Sequence, residues 1–289
     1  MTDAIRSIPA NRASSQLLAR QTADGQWGGD PSNPEWTSSP EWSCLVTLVW
    51  LREMGLGPQG TEARRAVTLV RDNVTWHWWD NKPFFAGEVE PCINGRVLAV
   101  GAYFGQDGQG LVDWLLGEQM DDGGWNCEQE NGSTRGSLHT TINVLEGLLE
   151  HERATGGTAE VRTARLRGQE YLLERRILRR LSTGEIIDPA FTQFSYPTGY
   201  HYDALRGLDY LRAAEVEPDE RLTDAIELVM QKRSEDGRWP LENPHPDQLD
   251  IGMDDGEGKP SRWITLRALR VLRWADAAGR SLASRAASG

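Results

Sequence analysis

Leu115-Leu116-Gly117-Glu118-Gln119-Met120-Asp121-Asp122-Gly123-Gly124-Trp125 decides the fold of this chain, because its skeleton occurs three times. Leu17, Gln21, Gly25 and Trp27 repeat the spacing of Leu115, Gln119, Gly123 and Trp125. Val229, Arg233, Gly237 and Trp239 repeat it again, with Arg in the Gln position. The tryptophans fall roughly 100 residues apart, and repetition at a near-fixed period describes architecture before chemistry. Leu and Gln four residues apart share one helix face. The Asp-Gly pair in every copy ends that helix, since Gly takes the left-handed conformation of a C-terminal cap. The Trp then folds back as an apolar lid whose indole N–H needs an acceptor. A Gln amide donating to carbonyls left over at the helix end would, with the Trp, lock one helix to the next. The phrase reads as a stability device.

Two weaker marks lie between the clear copies. Residues 62–74 read as a helix running into Trp76-His77-Trp78-Trp79, and residues 161–180 as a basic helix followed by Ser182-Thr183-Gly184. With these marks the period is roughly 50 residues. A loop and a second helix follow each mark, expected over 40–54, 92–105, 137–152, 198–213 and 261–277. Pro40, Pro91, Pro197 and Pro260 stand near four of those starts, and Pro in a first turn is a start signal. Alternating Val/Ile/Thr runs are missing, so strands are not expected.

The expected fold is therefore all-α: five helical hairpins, or six if residues 1–20 or 180–196 supply further helices. The loops before the second helices are long and diverse, and neither end carries the polar capping repeat of an open solenoid. That pattern favours a closed α/α toroid (barrel), with first helices outside and second helices lining a central cavity. No domain boundary is visible. Residues 1–280 read as one domain and 281–289 as a flexible C-terminal tail.

A chain of 289 residues, 38% hydrophobic and 26% charged, has a soluble, globular composition. Its net charge of −12 argues against nucleic acid and anionic membranes as partners. No apolar run reaches the roughly 18 residues of a membrane span, and the N-terminus lacks a signal-peptide core. A cytoplasmic monomer or homodimer that meets a small-molecule ligand is expected, without stable membrane insertion. Cys44, Cys92 and Cys127 show no CxxC spacing and form no even set, which reads as reduced thiols.

In a toroid the pocket opens where the inner helices begin, and helix N-termini favour anions. The candidate residues follow from those starts: Glu41 and Trp42; Cys92, Asn94 and Arg96; His139, Asn143 and Glu146; Tyr200, His201 and Asp203; Arg262 and Trp263. His139, Asn143, Glu146 and Glu150 make a polar stripe beside the apolar stripe of Leu138, Ile142, Leu145 and Leu149. On a generic helix such a stripe is a solvated face; on an inner helix it faces the cavity. His201, among Tyr200, Tyr202 and Asp203, reads equally as a satisfied core histidine. His139 and His201 are two of only five histidines, and they fall at equivalent points of successive second helices. Cys44 and Cys92 also occupy equivalent points, although a lone Cys is most often a small buried hydrophobe.

The Gln–Gly–Trp phrase resembles the QW repeats of squalene and oxidosqualene cyclases, and the related repeats of protein prenyltransferase β subunits. The resemblance covers most of the chain and implies the terpenoid-cyclase-like α/α toroid. The catalytic motifs do not carry over. An Asp-x-Asp-Asp acid is missing: Gln119-Met120-Asp121-Asp122 lies inside a repeat, and Gly252-Met253-Asp254-Asp255 lacks the first Asp. There is no Asp-Asp-x-x-Asp, and no cysteine follows Asp203 to build the prenyltransferases' Asp-x-Cys zinc ligands. Neither squalene cyclisation nor protein prenylation is implied. Single-barrel relatives such as linalool dehydratase-isomerase look like a lone toroid using Cys, His, Tyr and Asp.

The expected function is a lyase or isomerase acting on a small, partly apolar, terpenoid-like molecule by acid–base chemistry, with no cofactor. His139 and His201 would transfer protons. Asp203 or Glu41 would orient or protonate, and Cys92 would serve as acid or nucleophile. Trp42, Tyr200 and Trp263 would form an aromatic wall, while Asn94, Arg96, Asn143, Glu146 and Arg262 would hold polar groups. Two other functions fit the residues. One is glycoside cleavage by paired carboxylates drawn from Glu41, Glu146 and Asp203; the other is a non-catalytic toroid that binds a ligand or peptide. Zinc is an alternative use of Cys92, His139, His201 and Asp203, all ligand types.

Overall fold

The chain alternates short and long helices separated by glycine-ended turns: α1 (Arg12–Leu18), α2 (Pro40–Glu53), α3 (Thr61–Asn73), α4 (Pro91–Tyr103), α5 (Gln109–Gly117), α6 (Leu138–Thr155), α7 (Ala159–Glu174), α8 (Ala204–Ala213), α9 (Thr223–Gln231) and α10 (Arg262–Ala286). The structure, a computed structural model, describes residues 12–27, 40–245 and 256–286, with side chains from 13–27, 40–245 and 256–277. Two-residue ladders pair β1 (Thr75–Trp76) with β2 (Lys82–Pro83), and β3 (Trp239–Pro240) with β4 (Pro260–Ser261), both antiparallel. The protein is mostly helical, as the absence of strand patterning requires.

Each copy of the repeated phrase closes the same bonds. The indole N–H groups of Trp27, Trp125 and Trp239 donate to the carbonyls of Leu17 (2.7 Å), Leu115 (2.7 Å) and Val229 (2.6 Å). The Gln21 amide donates to Gly25 O (3.1 Å) and to Ala66 O on α3 (2.9 Å). Gln119 does the same to Gly123 O (2.8 Å) and to Ala164 O on α7 (2.8 Å). One amide thus ties its own turn to the neighbouring helix. Arg233 keeps the local half of this arrangement, donating to Gly237 O (3.2 Å) with its guanidinium over the Trp239 ring. Onward, the Trp125 and Trp239 backbone N–H groups donate to Thr141 Oγ1 on α6 and Thr265 Oγ1 on α10, both at 3.0 Å.

Gly25, Gly123 and Gly237 all have φ near +85°, but they differ in what surrounds them. A Cβ at Gly123 would stand 2.7 Å from Arg167 O, and one at Gly25 2.5 Å from Leu69 O. At Gly237 it would meet only the flexible end of Arg233, at 3.2 Å. Gly123→Ala should therefore lower the unfolding free energy by about 3 kcal/mol, backbone strain and overpacking combined. Gly237→Ala should cost only the strain, about 1–2 kcal/mol. Urea titrations of the two variants give the comparison, and equal losses would contradict it.

The eroded marks take other forms. Trp76 donates its indole N–H to Phe84 O (2.8 Å) across the β1–β2 turn instead of back to a helix. The mark at Gly184 is closed by an isolated bridge between Arg179 and Ile186.

The expected second helices correspond to α2, α4, α6, α8 and α10. α8 begins at Ala204, six residues later than expected, because Asp203 caps it and Thr198–Asp203 stay irregular. α10 continues to Ala286, through most of the stretch expected to be a tail. Residues 287–289 and the Gly252–Asp255 string lie outside the described residues. Contacts divide the chain into two compact units, with a boundary inside α7 between Arg167 and Gly168.

In the first unit the core is built on α2, α4 and α6. α4 is buried from Pro91 to Ala102, with Asn94 and Arg96 among the buried residues. It meets α6 backbone to backbone: a Cβ on Gly95 would lie 2.5 Å from Asn143 O, and one on Gly147 2.4 Å from Gly95 O. In the second unit α8 and α9 pack on α10. Tyr202 donates to Ile177 O (2.7 Å), Gln169 to Tyr210 Oη (3.1 Å) and Trp274 to Val216 O (3.0 Å).

Candidate functional site

In the first unit the starts of α2, α4 and α6 lie side by side. Arg96, buried on α4, sets its guanidinium 5.0 Å from the Trp42 ring centroid on α2. Cys127 bridges the starts of α4 and α6, close to Cys92 on one and Thr140 on the other. Local sequence explains the placement. Pro91 fixes the first turn of α4, and Ser137 caps α6. Asn94 reaches back to grip the loop before α4, accepting from Glu88 N and donating to Glu88 O, both at 2.8 Å. Expected as a substrate contact, Asn94 instead has its amide occupied at both ends by this loop.

Glu41 is 1% exposed, and its carboxylate is held by the ring and backbone N–H of His77. His77 comes from the β1–β2 turn, a partner no spacing rule could supply. Asn143 is buried and donates to His139 O one turn back (2.7 Å). His139 and Glu146 are half-buried on the same helix, so the polar stripe is not a fully solvated face.

The thiols are the largest departure from sequence expectation. Cys92 and Cys127, 35 positions apart and read as scattered, come together with Glu90 so that one ligand atom from each lies within 4.8 Å of the others. Cys92 Sγ donates to Glu90 Oε2 (3.4 Å), and Cys127 Sγ lies 3.4 Å from Thr140 Oγ1. A hydrogen bond given to Cys127, with burial, pushes the Cys92 thiol well up. The same bond pulls the Cys127 thiol below its ordinary value. Burial takes Cys44 up to about 12. Thiolate, not thiol, is alkylated. Limited iodoacetamide treatment of the reduced protein at pH 7.5 should label Cys127 first and Cys44 last by peptide mass spectrometry; a leading Cys44 signal would contradict this order.

The second unit holds the remaining candidates. Asp203 is 2% exposed and accepts from Arg206 N (2.8 Å), Ser195 N (3.2 Å) and Ser195 Oγ (3.1 Å). Burial raises its carboxyl above the usual range. Its geometry is that of a helix cap, which accounts for its place just before α8. His201 is sandwiched between Tyr200 (4.0 Å) and His245 (3.6 Å), the latter unforeseen in the sequence. Trp263 stacks on Tyr196 at 5.1 Å, and Arg262 is exposed.

Glu41 and Asp203, two of the three carboxylates considered for glycoside cleavage, are both buried and hydrogen-bonded. Among the described residues no helix is long and apolar enough to cross a membrane.

No family model matches the chain, and no curated protein matches it. Among solved structures it is similar to that of type II terpene cyclase MstE from Scytonema, at 14% identity over 92% of this chain and 96% of that one, TM-score 0.42. It is also similar to a protein from Actinoplanes, at 17% identity over 95% and 99%, TM-score 0.32. Likenesses of this size decide neither activity nor substrate.

Proposed function

We propose that this protein is a lyase or isomerase that binds a small, partly apolar molecule over the gathered helix starts and transforms it by acid–base chemistry. The observation that supports it is the convergence of α2, α4 and α6, which sets an aromatic face (Trp42), a buried cation (Arg96) and a titratable ring (His139) within the first two turns of neighbouring helices. An aromatic face suits an apolar or cationic species, and a histidine moves protons near neutral pH. His139 carries the proton transfer in this reading, while Asn143 and Glu146 shape and hold the ligand. Asp203 acts only by fixing the start of α8, and Glu41 by holding His77.

The test is turnover of a panel of acyclic isoprenoid alcohols and hydrocarbons, followed by gas chromatography. General acid–base groups contribute about 10²–10⁴ in rate, so His139→Ala should lose at least about a hundredfold while unfolding as the parent does. Unchanged turnover in this variant would sink the assignment.

A further inference from the structure

We propose that Glu90, Cys92 and Cys127 form a zinc site, with two thiolates and one carboxylate as ligands and a fourth position open to water or to a ligand atom. The inference is independent of the acid–base reading above, which uses none of these three residues.

Geometry comes first. Tetrahedral zinc with Zn–S near 2.3 Å and Zn–O near 2.1 Å separates its ligand atoms by about 3.6–3.8 Å. Cys92 Sγ and Glu90 Oε2 already stand 3.4 Å apart, and all three ligand atoms fall within 4.8 Å of one another. Side-chain movements of up to about 1 Å complete the triangle. The donor set then selects the metal: two soft thiolates favour zinc over calcium or magnesium, which take oxygen ligands.

Independent restraints hold both ligand-bearing segments. Asn94 clamps Glu88 two residues before Glu90, Pro91 stiffens the turn between Glu90 and Cys92, and Glu90 N donates to Glu88 Oε1 (2.5 Å). On the other side Asn126 caps the 3₁₀ turn Cys127–Gln129, accepting from Glu128 N (3.0 Å) and donating to Arg135 O and Ser133 Oγ (both 2.8 Å). Thr140 Oγ1 receives Cys127 N (3.3 Å) and lies beside the Cys127 sulfur, the position of an outer-shell partner that orients a ligand. Glu90 is exposed and Cys127 half-buried, so an ion can enter from solvent. Binding would replace the thiol protons by the metal and release them.

The full chain, reduced and freed of metal with a chelator that is then removed, is titrated with Co²⁺ and afterwards with Zn²⁺. The expected result is a single cobalt per chain, a thiolate-to-cobalt charge-transfer band in the near ultraviolet, and bleaching of that band by zinc. Cys92→Ser and Cys127→Ser should abolish the band. Glu90→Gln, a change at an exposed side chain that leaves packing alone, should keep the fold and weaken zinc at least about tenfold. The absence of a thiolate band in the reduced parent overturns the proposal. So does a band unchanged in Cys127→Ser, zinc affinity unchanged in Glu90→Gln, or a chain that forms only a Cys92–Cys127 disulfide and takes up no metal.

Discussion

Gly147→Ala should destabilise the protein by on the order of 3 kcal/mol or more, the upper end of what overpacking costs. The added methyl would sit 2.4 Å from Gly95 O and 3.2 Å from Gly95 Cα. These are backbone atoms of a buried helix, so no side chain can swing away; α4 and α6 must separate. Separation would open the core along both helices, where dispersion contacts are lost steeply with distance. Gly95→Ala meets the same interface from the other side, 2.5 Å from Asn143 O, and the double variant should cost less than the two single losses together. Gly101 lies on α4 as well, but its added Cβ would find Phe85 at an ordinary 3.5 Å. Gly101→Ala should gain up to about 1 kcal/mol from helix propensity. Opposite signs at two glycines of one helix, read from urea midpoints, are the signature of a close crossing. A mild loss at both Gly95 and Gly147 would mean that the helices are held further apart.

Trp125→Ala should cost about 3–5 kcal/mol, the usual range for emptying a fully buried aromatic position. Its indole is 0% exposed, and it also supplies the N–H that satisfies Leu115 O at 2.7 Å. Trp125→Phe separates the two contributions. It keeps most of the volume and should lose about 1–2 kcal/mol for the carbonyl left behind. Trp78, 45% exposed in the β1–β2 turn, should tolerate alanine at under about 1 kcal/mol despite being the same residue type. Chemical denaturation of the three variants orders these effects. A Trp78 loss matching that of Trp125 would remove the lock from its place in the stability of the fold.

What the chain reveals before folding depends on range. The local halves of the locks are short-range devices, in which the indole donor, the turn and the carbonyl it meets fall within ten residues. Their period therefore exposes Gln21, Gln119, Trp27, Trp125 and Trp239, and with them the helix order. Starts set by Pro40 and Pro91 are legible for the same reason. The pairing of Cys92 with Cys127, of Glu41 with His77 and of His201 with His245 joins segments whose separation follows no rule, so each side chain looks unpartnered in sequence. Gly95 and Gly147 were hidden differently. A glycine inside a helix reads as a weak point until the second backbone that needs the space is known. Asp203 carries an ambiguous signal, since a carboxylate before a helix looks alike whether it meets a ligand or caps the helix, and in the structure it caps α8.

The two threonine bonds that follow the tryptophans have a wider consequence. From Trp125 to Thr141 the chain travels 16 positions, and from Trp239 to Thr265 it travels 26, yet both journeys end in the same 3.0 Å bond. Between Gln and the alanine it holds on the next helix the distance is 45 positions in both full copies. The 45 positions contain the 16 from Trp125 to Thr141, so in a full copy the loop before the second helix lies inside the length that spans the lock. In the third copy, where Arg233 keeps the local bond to Gly237 O, the corresponding path runs to 26 positions. Insertions made between Trp239 and Thr265 should accordingly be absorbed, whereas a single residue added within α6 or α7 ahead of Ala164 would put the helix that meets Gln119 out of phase.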